Sequence, residues 1–278
     1  MSETEGVCMR SGRTKDEAWG QFTVRLVARD DGRFDGIAFR EDKGSEAKIT
    51  GEPHETEAEV RARLKQEVLR RHPDWVGYEG AVKFFRRHFP NGFEDDQYRE
   101  AERDYKWNAK RLLDESVPLA SAPQNDGVGE AVLRTFNRTN LLSPFELIRV
   151  RKVLKSNQGE SFVQGAAEFA AGDMEAGLRT MASAAKAHDA AKWTVVTYLP
   201  FLWKPDTHMF LKPEVTKLFA DRVGHEFALR YRADLDIEVY RCLLDLVACT
   251  RRAIKELQPR DNIDLQSFVW VVGDYSEA

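Results

Sequence analysis

Hydrophobic residues change their spacing along this chain, from every second position near the start to every third or fourth afterwards. That change limits it to a small sheet followed by helices. Phe22, Val24, Leu26 and Ala28 alternate with their neighbours, the period of a strand with one face covered. After Asp30-Asp31-Gly32-Arg33 the run resumes, with Phe34, Gly36 and Ala38 on one face and Ile37 and Phe39 on the other. An Asp-Gly turn tolerates the positive φ values that a tight hairpin needs. A hairpin is therefore predicted, with a short third strand around residues 48–50.

From there the helical period takes over. Thr56 followed by Glu59 has the spacing of a capping box, in which each side chain satisfies a backbone N–H at a helix start. The helix continues through Val60, Leu64 and Val68 until His72-Pro73 stops it. Residues 18–72 thus form a β-β-(β)-α unit behind a polar leader at 1–17. Residues 73–278 read as a multi-helix body, and the fold class is mainly α (α+β). Within the body, 78–89 is a helix ended by Pro90-Asn91-Gly92. A long helix over 95–115 carries Tyr98, Ala101, Tyr105, Ala109 and Leu112 on one stripe. SVPLASAPQNDG, 116–127, has the composition of a joint, and a helix follows near 129–136. Ser143-Pro144-Phe145-Glu146 combines a capping box with proline at the first helical position. Alanine-rich helices occupy 159–170 and 173–190.

The segment 193–203, WTVVTYLPFLW, suits a strand or a buried helix, and Pro200 favours the helix because proline disrupts a central strand. Lys212-Pro213-Glu214 opens a helix that Gly224 closes. Residues 227–231 read as a strand or an extended connector. A strong helix covers 236–257, and Asp261 caps a last apolar run through Phe268 and Val272.

Composition narrows the function. With 42 % hydrophobic and 32 % charged residues the chain can bury a core beneath a charged surface, and its formal charge of −4 gives no global attraction to nucleic acid or anionic membrane. Three cysteines, Cys8, Cys242 and Cys249, suggest no disulfide framework. No apolar signal segment opens the sequence, and its most apolar run is 11 residues long, short of the roughly 20 that a membrane span needs. A cytoplasmic protein without a membrane partner is expected. Cys242 and Cys249, seven apart, are expected to share a buried helix face.

No local fingerprint names a reaction. HExxH, CxxC, GxSxG and GxxxxGK[ST] are all absent, so no metal or cofactor is expected from local spacing. Gly127-Val128-Gly129 is too short to be a dinucleotide loop. Asp31 followed by Glu41-Asp42-Lys43 has residue types that could hold Mg²⁺ in a nuclease, although a solvated turn accounts for them too.

Two surfaces stand out. Residues 61–111 hold 13 Lys/Arg against 9 Asp/Glu. On the long helix Arg99, Arg103, Lys106 and Lys110 fall on one stripe, with Trp107 beside it. Phosphates bind such cations and unpaired bases stack on aromatics; the competing reading is a solvated face with internal ion pairs. The second is FLWKPDTHMFLKPEVTK, 201–217, where Lys204, Asp206, His208 and Lys212 sit between apolar anchors, as at a pocket rim. From these, three functions are expected: contact with nucleic acid or a partner that handles it, a ligand or substrate pocket near 204–217, or a helical interaction scaffold.

Overall fold

The computed structural model describes residues 15–19, 22–40, 44–71, 76–122 and 127–275. It is mainly helical, with an antiparallel sheet at the start. Four strands, β1 (Lys15–Trp19), β2 (Phe22–Ala28), β3 (Phe34–Arg40) and β4 (Gly44–Thr50), pair in chain order. The Asp-Gly turn forms as expected: Gly32 takes φ +82 and Arg29 N–H bonds the Arg33 carbonyl at 2.8 Å. Period-two patterning buries Val24, Leu26, Ala38 and Ala47 on one face. Helix α1 (Glu57–Arg70) covers that face with Val60, Leu64 and Val68. Its Thr56–Glu59 capping box is complete. Two expectations change here. Residues 15–17, expected in the leader, belong to β1, whose Asp16 pairs with Arg25 across the ladder. The third strand runs over Gly44–Thr50 rather than three residues.

The body has its own hydrophobic core, separate from that of the sheet and α1. Leu229 packs on the sheet-side core, and Lys65 of α1 faces Glu226 at 3.7 Å. The body's elements are α2 (Gly77–His88), α3 (Asp96–Tyr98), a π-helical turn (Arg99–Arg103), α4 (Asp104–Ser116), α5 (Gly129–Phe136), α6 (Pro144–Leu154), α7 (Gly159–Ala171) and α8 (Met174–Lys186). They continue with α9 (Trp193–Val196), α10 (Tyr198–Trp203), α11 (Pro213–Val223), α12 (Phe227–Arg230), α13 (Ile237–Ala253) and α14 (Asn262–Asp274). Most of α14 is buried, and it packs against α11 and α2. Phe85, Phe89, Phe93, Tyr98 and Phe268 cluster beside it, with centroids 5.1–5.9 Å apart where they meet. Such tilted and edge-on pairs suit aromatic quadrupoles.

Chain punctuation matches the sequence in most places. Ser143 and Glu146 form a capping box with Pro144 at the first turn of α6, Gly224 closes α11 with φ +71, and 193–203 is helical. Thr197 divides that last segment: its hydroxyl donates to the Trp193 carbonyl and accepts the Leu211 N–H. Residues 227–230 are helical, not extended, because the His225 ring accepts the Phe227 N–H and the Tyr231 N–H closes the turn on the Phe227 carbonyl. The long helix over 95–115 is interrupted by the π turn. The expected stop at His72-Pro73 lies outside the described residues, as do 123–126 of the 116–127 segment.

α7 and α8 pack closely because Gly165 and Gly177 face each other. A Cβ on Gly177 would meet the Gly165 carbonyl oxygen and the Phe169 backbone well inside contact distance. Backbone cannot yield as a side-chain tip can, so overpacking of this kind costs about 1–3 kcal/mol. Gly177→Ala is expected to lower unfolding free energy by about that amount in urea titration; an unchanged midpoint would mean that the helices separate freely.

Candidate functional site

The expected basic stripe turns partly inward. The π turn adds a residue to the helical spiral, so the buried face passes from Tyr98 to Glu102, Arg103 and Lys106, while Ala101 is exposed. Lys106 is fully buried, and its ammonium meets Glu102 at 3.0 Å and Ser267 at 2.8 Å. Arg103 forks onto Asp261 at 2.7 Å and Asp264 at 2.6 Å. The remaining stripe cations are paired as well, Arg99 with Asp96 at 2.9 Å and Lys110 with Asp114 at 2.5 Å. Trp107 lies 5.2 Å from the Arg103 guanidinium and 5.7 Å from Lys110. Arg103 and Lys106 therefore do not belong to an open phosphate-binding face: Arg103 is neutralised by Asp261, which caps α14, and by Asp264 within it, and Lys106 by Glu102 of the π turn.

Asp264 is shared by Tyr98 at 2.6 Å, Arg103 and Arg260 at 2.9 Å. Burial alone would raise its carboxyl, but the Arg260 and Tyr98 hydrogen bonds and the Arg103 charge hold it below the ordinary value. This cluster is saturated with internal bonds and presents no free group to a substrate.

The 201–217 segment is not a pocket rim as a whole. Lys204 and Asp206 are exposed, whereas His208 is buried. The His208 Nε2 lies 3.3 Å from the Ala170 carbonyl, an acceptor only, so that nitrogen carries the proton and Nδ1 accepts beside the Tyr240 hydroxyl. The ring is a tie between α7, α13 and the segment. Lys212 lines a small cavity together with Lys106.

His225, Asp245 and Cys249 bring potential ligand atoms within 4.8 Å of one another, beside α1. The ring is turned the wrong way for a metal. Its Nδ1 accepts the Phe227 N–H at 3.1 Å, so the neutral ring carries its proton on Nε2, which donates to Asp245 at 3.1 Å. A metal on Nε2 would have to leave an imidazolate, whereas metal-bound histidines ordinarily donate from the other nitrogen. Cys249 is half-buried rather than part of the Cys242 core face, and burial pushes its thiol up, away from a reactive thiolate. Asp31 of the nuclease-like fragment is bound by Arg33 in the hairpin turn at 2.7 Å; Glu41-Asp42-Lys43 lie outside the described residues.

A larger opening lies between α6, α8, α9 and the 231–235 loop. It holds about 740 Å³, within the roughly 300–1,000 Å³ of small-molecule sites. Its apolar wall includes Ala182, Trp193, Tyr231 and Leu235, and Arg149, Lys186 and Lys192 supply cations. The carboxylates differ in their freedom. Glu146 spends one oxygen on the Ser143 N–H at 2.7 Å and the other on the Thr194 hydroxyl. Asp189, just outside the lining, binds Arg149 at 3.0 Å and Lys192 at 3.1 Å. It does so from a left-handed backbone, φ +49, which Asp tolerates better than most residues. Lys186 is exposed and meets no carboxylate among the described residues within ion-pair distance. Asp234 stands on the loop across the cleft. On α6, one turn before Arg149, Phe145 is 75 % exposed.

No family model, no curated protein and no solved structure matches this chain. Sequence reasoning missed the cleft because its residues come from five segments with no spacing rule, and each cation there resembles any surface lysine or arginine. No helix of the described residues is long and apolar enough to cross a membrane.

His208 gives a pH test of this assignment. Burial pushes the ring down from 6.5 to about 4, with the Ala170 carbonyl opposing. The unfolded chain takes a proton near 6.5 and the folded one resists it. His208 therefore costs stability progressively as pH falls from about 6.5 towards 4, and no further below. His208→Gln should flatten the stability–pH curve across that window in urea unfolding; a variant curve parallel to wild type would place the ring in solvent.

Proposed function

We propose that the protein binds a small molecule carrying an acidic group on an apolar body, in the cleft between α6, α8 and the 231–235 loop. The observation that carries this reading is the convergence of Arg149, Lys186 and Lys192 on a 740 Å³ opening with an aromatic wall. Asp189 holds Arg149 and Lys192 in place, so a carboxylate or phosphate meets cations whose positions are already set. Lys186 is exposed, and among the described residues no carboxylate competes for its charge within ion-pair distance. Trp193, Tyr231 and Leu235 accept the apolar part, and Asp234 repels the acidic end from the far wall. Within the lining the Thr194 hydroxyl donates to Glu146, whose other oxygen caps α6. Of the basic stripe, Arg99, Trp107 and Lys110 remain for a nucleic-acid reading, with Arg103 and Lys106 turned inward.

The reading is tested by thermal shift and calorimetry with phenyl phosphate, 4-hydroxybenzoate and the neutral benzyl alcohol. The acids are expected to stabilise the protein and the alcohol not. Lys186→Gln together with Lys192→Gln, on exposed side chains, should weaken acid binding at least tenfold, about 1.4 kcal/mol, without changing the melting temperature of the free protein. Equal binding of the alcohol, or full affinity in the double variant, would overturn it.

A further inference from the structure

A second and far smaller cavity, about 30 Å³, lies between α4, α14 and the residues around Leu141 and Phe210. A single water needs roughly 10–15 Å³ of such space, so this one fits a monatomic ion or a pair of waters. Lys106 and Lys212 both line it, and no carboxylate does. The charge of Lys106 is balanced by Glu102. Lys212 is not balanced in that way. Its ammonium donates to the Leu141 carbonyl at 3.2 Å and lies 5.8 Å from the Trp270 ring centre. Among the described residues no carboxylate reaches it within ion-pair distance, and Glu146, the acid whose field it feels, has both oxygens engaged. An ammonium has three N–H donors; Lys106 uses two on Glu102 and Ser267, and Lys212 uses one on Leu141.

The third wall is Gln266, 3 % exposed, whose Oε1 is buried and meets no donor among the described residues. An amide turned by 180° has the same shape and puts N–H where the oxygen was. We infer that this cavity binds a monatomic anion of chloride's size, held between the ammonium groups of Lys106 and Lys212 and the Gln266 amide in that turned orientation. The anion supplies the missing counter-charge of Lys212 and an acceptor for the amide. Tyr105 and Asn140 complete the lining. The site is separate from the cleft, to which neither Lys212 nor Gln266 contributes.

Melting the intact protein in sodium chloride, sodium bromide and sodium gluconate at matched ionic strength tests the inference, together with bromide-soaked crystals read by anomalous scattering. Chloride and bromide should raise the melting temperature saturably and gluconate should not. Lys212→Met, which keeps the apolar stem, should weaken the halide response at least tenfold. An anomalous peak is expected between Lys106, Lys212 and Gln266. If the variant does not fold, the wild-type peak decides. Identical curves in halide and gluconate, a halide response unchanged in Lys212→Met, or water without anomalous signal in the cavity would overturn it.

Discussion

Arg103 reaches across the body to Asp261 and Asp264, residues 158 and 161 positions away in the chain. The surroundings of α14 depend on that contact. Asp261 is also the N-cap of α14, accepting the Ile263 N–H at 2.9 Å and the Asp264 N–H at 3.2 Å. One carboxylate therefore starts the central helix and fixes its rotation against the π turn. Two charges so buried gain from each other only while both are present, and removal of one partner of a buried pair costs roughly 3–5 kcal/mol. Arg260, Tyr98, Lys106, Glu102 and Tyr275 extend the pairing until each formal charge has a partner. A network satisfied in this way specifies a single packing of α14, which an apolar contact of the same area would leave free to slide.

The π turn makes the arrangement possible. On a regular helix Arg103 would lie about 140° and Lys106 about 80° around from Tyr98. One extra residue in the spiral turns both towards the face on which Tyr98 and Glu102 lie, and so towards α14. The cleft and the small cavity lie on either side of the segment that follows α10. Pro213 contributes to the cleft and Lys212 to the cavity. Glu146 links them physically, since it caps α6, accepts from Thr194 in the cleft wall and feels the charge of Lys212.

Much of the fold was legible because it is local. The Asp-Gly hairpin, the Thr56 and Ser143 capping boxes, Pro213 at a helix start and Gly224 at its end all act within four residues, and each forms as the sequence indicates. What stayed hidden is non-local or irregular. β1 pairs only five residues with β2 and lacks an apolar alternation of its own. Residues 227–230 are helical because His225 caps them with its ring, a role that its residue type does not announce. The basic stripe was misplaced because ion pairs with residues more than 150 positions away are invisible to spacing. Of the candidate residues, Lys212 and Lys106 reach a common cavity, a juxtaposition that neither reading of the sequence contained.

The protein's cations divide into those that build the body and those that remain for a ligand. Amine-selective labelling of the folded protein, read by peptide mass spectrometry with and without phenyl phosphate, tests that division directly. Lys106 should stay unlabelled until the protein unfolds, while Lys186 and Lys192 should label readily and be protected by the ligand. Labelling of Lys106 at the rate of an exposed lysine, or ligand-independent labelling of Lys186 and Lys192, would contradict it.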